Sequence, residues 1–268
     1  MRSRPGWPSS AVTSDPSAAA PGTAGRMGLV DPTTYAVIAA AVLVGSVVQS
    51  AVGLGVGLVA APVTALLEPQ LMPGALLMVA LLMPCLTLVN DHDDIDWRGL
   101  GWSLPARLPG TAVGVWVVTA LSARELGVAI GVVVLVAVLV TWRAFEVPVN
   151  RVSLSAAGFA SGITGTATSI GGPPIAIVYQ HRPAQEIRTT MAVYFLVGAG
   201  ISLVALLVSG DLDRDQAVAA LELLPFLALG ALLGAVARRS IPAHVVRPAV
   251  LLVSSASALV LLVRSVLG

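Results

Sequence analysis

Thr34-Tyr-Ala-Val-Ile-Ala-Ala-Ala-Val-Leu-Val-Gly45-Ser-Val-Val-Gln49-Ser-Ala-Val-Gly53-Leu-Gly55-Val-Gly57-Leu-Val-Ala-Ala-Pro62-Val-Thr-Ala-Leu-Leu67 runs for 34 residues without a charge. A helix needs roughly 20 apolar residues to cross hydrocarbon, so this stretch is too long for one straight span. Glycine is costly inside a helix, and three glycines cluster in the middle at 53, 55 and 57. The pattern predicts a membrane helix broken at the cluster. A second stretch of the same kind lies at 152–179, with Gly158 followed by Ser169-Ile-Gly171-Gly172-Pro173-Pro174.

Composition supports a bilayer as solvent. Of 268 residues, 56% are apolar and 11% charged, against roughly 25% charged in a soluble domain. Mean hydropathy is +0.90. A disordered chain, a nucleic-acid binder and an ordinary cytosolic enzyme are excluded on this ground. Net charge is +1, and all fifteen basic residues are Arg. The lone Cys85 excludes an internal disulfide, and His92, His181 and His244 lack ligand spacing, so no metal site is expected. No nucleotide-binding loop, paired catalytic carboxylates or nucleophile elbow occurs, so the reading is a non-enzyme without a cofactor.

Apolar segments read at about 34–67, 72–90, 99–121, 125–142, 152–179, 188–208, 216–237 and 245–264. The expected fold is an all-α polytopic membrane protein of about eight transmembrane helices. These form two four-helix repeats, 34–143 and 152–265, each with a glycine-broken first helix. Pro105/Pro225, Gly110/Gly230 and Gly114/Gly234 recur at one offset of 120 residues. Two halves with a site at their meeting point is a common transporter plan. Residues 1–31, rich in Pro, Ser, Ala and Gly, read as a disordered tail, with Met27 as a second start. With eight spans the arginines divide six to six between the two sides, with the side of Arg98 and Arg214 taken as external.

Clustered glycines free backbone N–H groups, which membrane depth tolerates only when they are buried in protein or line a cavity. A helix starting there points its positive end at the cavity, which suits a small anion. The candidate substrate-binding residues are Gln49, Gly53, Gly55, Gly57, Thr166, Ser169, Gly171, Gly172 and Pro173. Arg188 opens a helix beside Thr189 and Thr190 and is read as reaching back to the same anion. Close helix packing through small residues is the competing reading of the glycines. Arg107 and Glu222 fall inside predicted spans, in equivalent segments, and read as an intramembrane charge pair.

Gly45-Ser-Val-Val-Gln49 leading to Gly53-Leu-Gly55-Val-Gly57 resembles the first motif of the sulfite exporter TauE/SafE family. Gly158-Phe-Ala-Ser-Gly162-Ile-Thr-Gly165 leading to Ile170-Gly171-Gly172-Pro173 resembles its second. The Arg188-Thr189-Thr190 helix start and the four-plus-four layout also fit. The resemblance covers about 34–265. It implies a multi-pass permease of the cytoplasmic membrane that moves small sulfur-containing anions such as sulfite or organosulfonates by alternating access, coupled to a proton or ion or to neither. Expected partners are that anion and the bilayer, and no nucleic acid. Two other classes stay open: a membrane scaffold or assembly factor that transports nothing, and an anion channel.

Overall fold

The computed structural model describes residues 31–52, 55–143, 147–237 and 243–267. The expected tail up to residue 30, Met27 and Gly53 lie outside the described residues. What is described is helical, with no strand among the described residues. The helices are α1 (Pro32–Val52), α2 (Val56–Leu67), α3 (Gly74–Ala80), α4 (Leu82–Asn90), α5 (Trp97–Ala120), α6 (Ala123–Arg143), α7 (Arg151–Thr168), α8 (Gly172–Tyr179), α9 (Ala184–Ser209), α10 (Arg214–Ala237) and α11 (Ala243–Leu267). A 3-10 turn, Pro69–Leu71, precedes α3. α1, α9 and most of α10 are each long and apolar enough to cross a membrane on their own.

Short polar side chains start the helices. The Asp31 carboxylate accepts from the backbone N–H groups of Thr33 and Thr34, and the Thr33 hydroxyl beside it holds that carboxyl below the usual carboxylate range. Asp96 caps Gly99, Asn150 caps Ser153 and Asp213 caps Gln216, each at 2.9 Å. Such caps satisfy N–H groups that a helix start leaves without partners. α7 stops at Ser169, in the left-handed conformation at φ 61°. Pro173 then lies in the first turn of α8, where its missing N–H costs nothing.

Glycines set which helices touch. A Cβ on Gly110 would lie 2.2 Å from the Phe159 carbonyl oxygen, and one on Gly158 would lie 2.2 Å from that of Ser103. α5 and α7 therefore run side by side in the same direction with their backbones in contact. The glycines 120 residues further on make the corresponding seam: Cβ atoms on Gly230 and Gly234 would lie 2.4 and 2.5 Å from the carbonyl oxygens of Leu43 and Val47. Tyr35 Oη donates to the Glu222 carbonyl at 3.0 Å further along the same pair, so α1 and α10 also point the same way.

At both glycine breaks the chain reverses instead of continuing. Val56 lies against Gly45, and its N–H donates to Gln49 Oε1 at 3.0 Å. α2 then leads to the turn at Pro69–Leu71, where Gln216 at the start of α10 donates to the Gln70 carbonyl. That is the end at which α1 begins. α8 likewise returns beside α7: Ser161 donates to the Gly171 carbonyl, and Tyr179 Oη donates to Asp96 at the start of α5. These return arms have 12 and 8 residues, so about 18 and 12 Å, short of the roughly 30 Å of hydrocarbon. Each expected broken first helix is thus a long helix with a short arm folded back along it.

The reversals redistribute the arginines. Arg98, Arg143, Arg151, Arg182, Arg188 and Arg247 belong to the end where α5, α7, α9 and α11 begin. Arg124, Arg214 and Arg264 belong to the other end. The even division expected for eight simple spans becomes six against three among the described residues, and it groups Arg98 with Arg188 and apart from Arg214.

A small apolar cluster, Leu77, Ala199 and Leu206, joins α3 to α9, and two larger ones form most of the interior. One joins α1, α2, α3, α6, α10 and α11. The other joins α5, α7, α8 and α9.

Candidate functional site

A cavity of about 60 Å³ lies between the two larger clusters. Gln49, Gly55, Gly57, Leu58, Leu77 and Ala80 line one side, and Arg107, Gly165, Ser169–Pro173, Phe195 and Ala199 line the other. Both glycine breaks therefore meet at one place. Phe195 and Ala199 sit in the middle of the 26-residue α9, which puts the cavity at mid-depth. It has room for a few waters or for the head of one small oxyanion.

Arg107 decides its chemistry. It is 2% exposed, ten residues into α5. Its guanidinium fits because two neighbouring helices leave out a side chain beside it. A Cβ on Gly165 of α7 would lie 2.8 Å from Nη2, and one on Gly198 of α9 would lie 2.6 Å from Nε. Nη1 donates to Ser161 Oγ at 2.8 Å and to Tyr194 Oη at 3.3 Å, and Nη2 donates to Ser202 Oγ at 3.3 Å. The guanidinium carbon lies 5.3 Å from the Tyr194 ring centroid, within cation–π range. Every one of these partners is neutral. Three of the five N–H donors are used, and Nε is buried without a partner.

A buried cation with only neutral partners is held at a cost of several kcal/mol, roughly, because hydroxyl dipoles do not cancel its charge. An anion in the adjoining cavity would offset that cost. The chemistry of the arrangement suits one small anion.

Glu222 is not that counter-charge. It lies on α10 beside Tyr35, and no carboxylate is within ion-pair distance of Arg107 among the described residues. The expected Arg107–Glu222 pair does not form. Equivalent depth on equivalent helices failed to bring them together because α5 packs on α7 while α10 packs on α1.

Gln49, Gly55, Gly57, Ser169, Gly171, Gly172 and Pro173 all line the cavity. Gln49 caps α2, and Ser169 Oγ donates to the Pro73 carbonyl at 2.8 Å, which ties the second break to the start of α3. Thr166 stands behind the cavity, fully buried, with Oγ1 2.8 Å from Ser202 Oγ. It braces a partner of Arg107 and does not line the space. Arg188 lies away from the central cavity, in a larger one described below. Tyr194, Gly198 and Ser202 were missed. Their signal is the 3–4 spacing of Met191, Tyr194, Gly198 and Ser202, one face of α9 that brings polar and small residues together.

Residues 37–261 match the family model described as Sulfite exporter TauE/SafE. The chain is similar to a probable inner membrane transporter protein TsaS of Comamonas testosteroni, 28% identical over 173 residues, covering 60% of this chain and 71% of that one. No solved structure matches it significantly. With a family match over most of its length and an all-helical apolar fold, the chain belongs to the sulfite exporter TauE/SafE family and is a multi-pass cell-membrane transporter, not an enzyme.

Proposed function

We propose that this transporter carries small sulfur-containing oxyanions, sulfite or the sulfonate group of an organosulfonate, by alternating access through the central cavity. The observation that carries the reading is Arg107: a buried guanidinium without a carboxylate, facing a mid-depth cavity between two glycine breaks. The glycine breaks at Gly55–Gly57 and Ser169–Gly172 line part of the remaining space and apolar side chains the rest, so one fixed charge meets one anionic head. A sulfonate's organic tail would extend past Gln49 and Phe195 into the larger cavity that both also line. The family model and the probable transporter that resembles this chain support the class of activity.

The test is flux of sulfite and of methanesulfonate in proteoliposomes. Arg107→Gln removes a charge-assisted contact of about 1.5–3 kcal/mol and should cut saturable flux roughly ten- to a hundred-fold. Full flux in that variant overturns the reading. Flux that never saturates indicates a channel, and no flux from wild type indicates the scaffold class.

A further inference from the structure

A second cavity of about 650 Å³ lies between α1, α4, α9 and α10. Gln49 and Phe195 line both cavities and separate them. This vestibule runs from those two residues to the ends of α4 and α9. There Asp91 and Arg188 are its only ionisable lining residues among the described residues. Arg188 Nη2 lies 2.8 Å from Asp91 Oδ2, and the side chains are 29% and 28% exposed. Nη2 also donates to Gln185 Oε1. Nε is buried and has no partner.

The guanidinium edge bearing Nε–H and Nη2–H is the fork that binds an oxyanion through two parallel hydrogen bonds. Asp91 engages one prong and leaves the other unused. Arg188 does not line the central cavity: Phe195, the nearest α9 residue that does, is seven residues further, about 10 Å along the helix. Arg188, Phe195 and Ala199 nevertheless share one face of that helix, so the vestibule and the central cavity follow one another along it.

We propose that Arg188 forms a second, vestibular site for a small oxyanion, in series with the central one, and that Asp91 is its resting stand-in. An arriving anion takes both prongs of the fork and displaces the single-pronged carboxylate. The ion pair is partly exposed, and the arriving anion replaces the carboxylate's charge on the guanidinium while the carboxylate turns to water, so the exchange costs little. The vestibule then holds an anion about 10 Å along α9 from the Gln49–Phe195 partition instead of presenting a neutral pair. This site rests on the reading of the chain as an anion transporter.

The test is calorimetric titration of the purified full chain in detergent with sulfite. Wild type should bind two sulfites per chain, and Arg188→Gln and Arg107→Gln one each. Asp91→Asn should tighten the vestibular site by up to roughly five-fold by removing its competitor. Arg188→Lys should weaken it, because an ammonium lacks the fork. Two sulfites bound by Arg188→Gln, or an unchanged vestibular affinity in Asp91→Asn, overturns the proposal. If Arg188→Gln fails to fold, the Asp91→Asn affinity decides. If Arg107→Gln still binds two and Arg188→Gln one, the central-site reading falls while the vestibular site stands. Wild type that binds no sulfite overturns both.

Discussion

Gly198→Ala adds one methyl group beside the buried cation, and its effect can be worked from distances. The new Cβ would lie 2.6 Å from Arg107 Nε, 2.7 Å from Cζ and 3.0 Å from Cδ, where ordinary contact is 3.4–4 Å. The guanidinium would have to retreat by close to 1 Å. Behind it Nη2 is already within 2.8 Å of the Cβ position of Gly165, and Nη1 is held by Ser161 at 2.8 Å. Overpacking of this kind costs about 1–3 kcal/mol, partly offset by about 1 kcal/mol of helix propensity. Stability should therefore fall by up to about 2 kcal/mol. Sulfite affinity should fall further, roughly ten- to a hundred-fold, because a displaced guanidinium loses a charge-assisted contact. Gly200→Ala is the control: it lies on the same helix, and its Cβ would meet nothing within 4 Å. It should leave binding unchanged and raise stability by about 0.5–1 kcal/mol. Thermal unfolding in detergent and sulfite titration measure the two quantities. If Gly198→Ala matches Gly200→Ala in both, Arg107 is not confined as described.

Gly110→Ala and Gly162→Ala should each destabilise by about 1–3 kcal/mol, since their Cβ atoms would meet backbone at 2.2 and 2.4 Å and backbone yields little. Gly101→Ala on α5, with open space around it, should be neutral in the same unfolding measurement. Gln49→Ala removes the acceptor for the Val56 N–H and should cost about 1 kcal/mol, read as earlier hydrogen exchange at the start of α2. Arginines concentrate on cytoplasmic faces, and six of the nine placed at the two ends lie at the Arg98 end, which reverses the external side expected for Arg98 and makes that end cytoplasmic. Single cysteines introduced at 93 and 182 in a Cys85→Ser background should therefore be protected from impermeant maleimide in whole cells, and one at 213 should be labelled. The opposite labelling pattern would invert the assigned orientation.

Much of the fold was legible because glycine and proline act locally. The breaks at Gly55–Gly57 and Ser169–Pro173 follow from the φ freedom of one residue and the missing N–H of the other, whatever surrounds them. The direction of the chain after each break was not legible. Val56 turns back because α2 packs against Gly45 and Gln49, a tertiary choice that composition does not encode. Arg107 could be recognised as an intramembrane charge, but its partners could not. Position along a segment gives depth, whereas Ser161, Tyr194 and Ser202 reach it from helices whose facing sides are set by the glycine seams. Arg188 stands off the central cavity for the same reason: nearness to a break in sequence translated into about 10 Å along α9 to the nearest residue that lines it, Phe195.

The two larger interior clusters do not follow the order of the chain. α5 comes from the amino-terminal half yet packs with α7, α8 and α9, while α10 comes from the carboxy-terminal half yet packs with α1, α2 and α3. The cavity lies between the two larger clusters, so a motion that opens it has to part them and break the small Leu77–Ala199 contact that bridges them, whereas a rocking of residues 32–143 against 151–267 would tear both glycine seams. The hinges then fall where the chain crosses from one body to the other: at Asp91–Asp96, at Leu121–Ser122, in the link before Arg151 and at Gly210–Asp213. A cut between α6 and α7 would sever only one of those crossings, and the amino-terminal fragment would have to give up α5, and the carboxy-terminal one both α10 and α11, before either body existed.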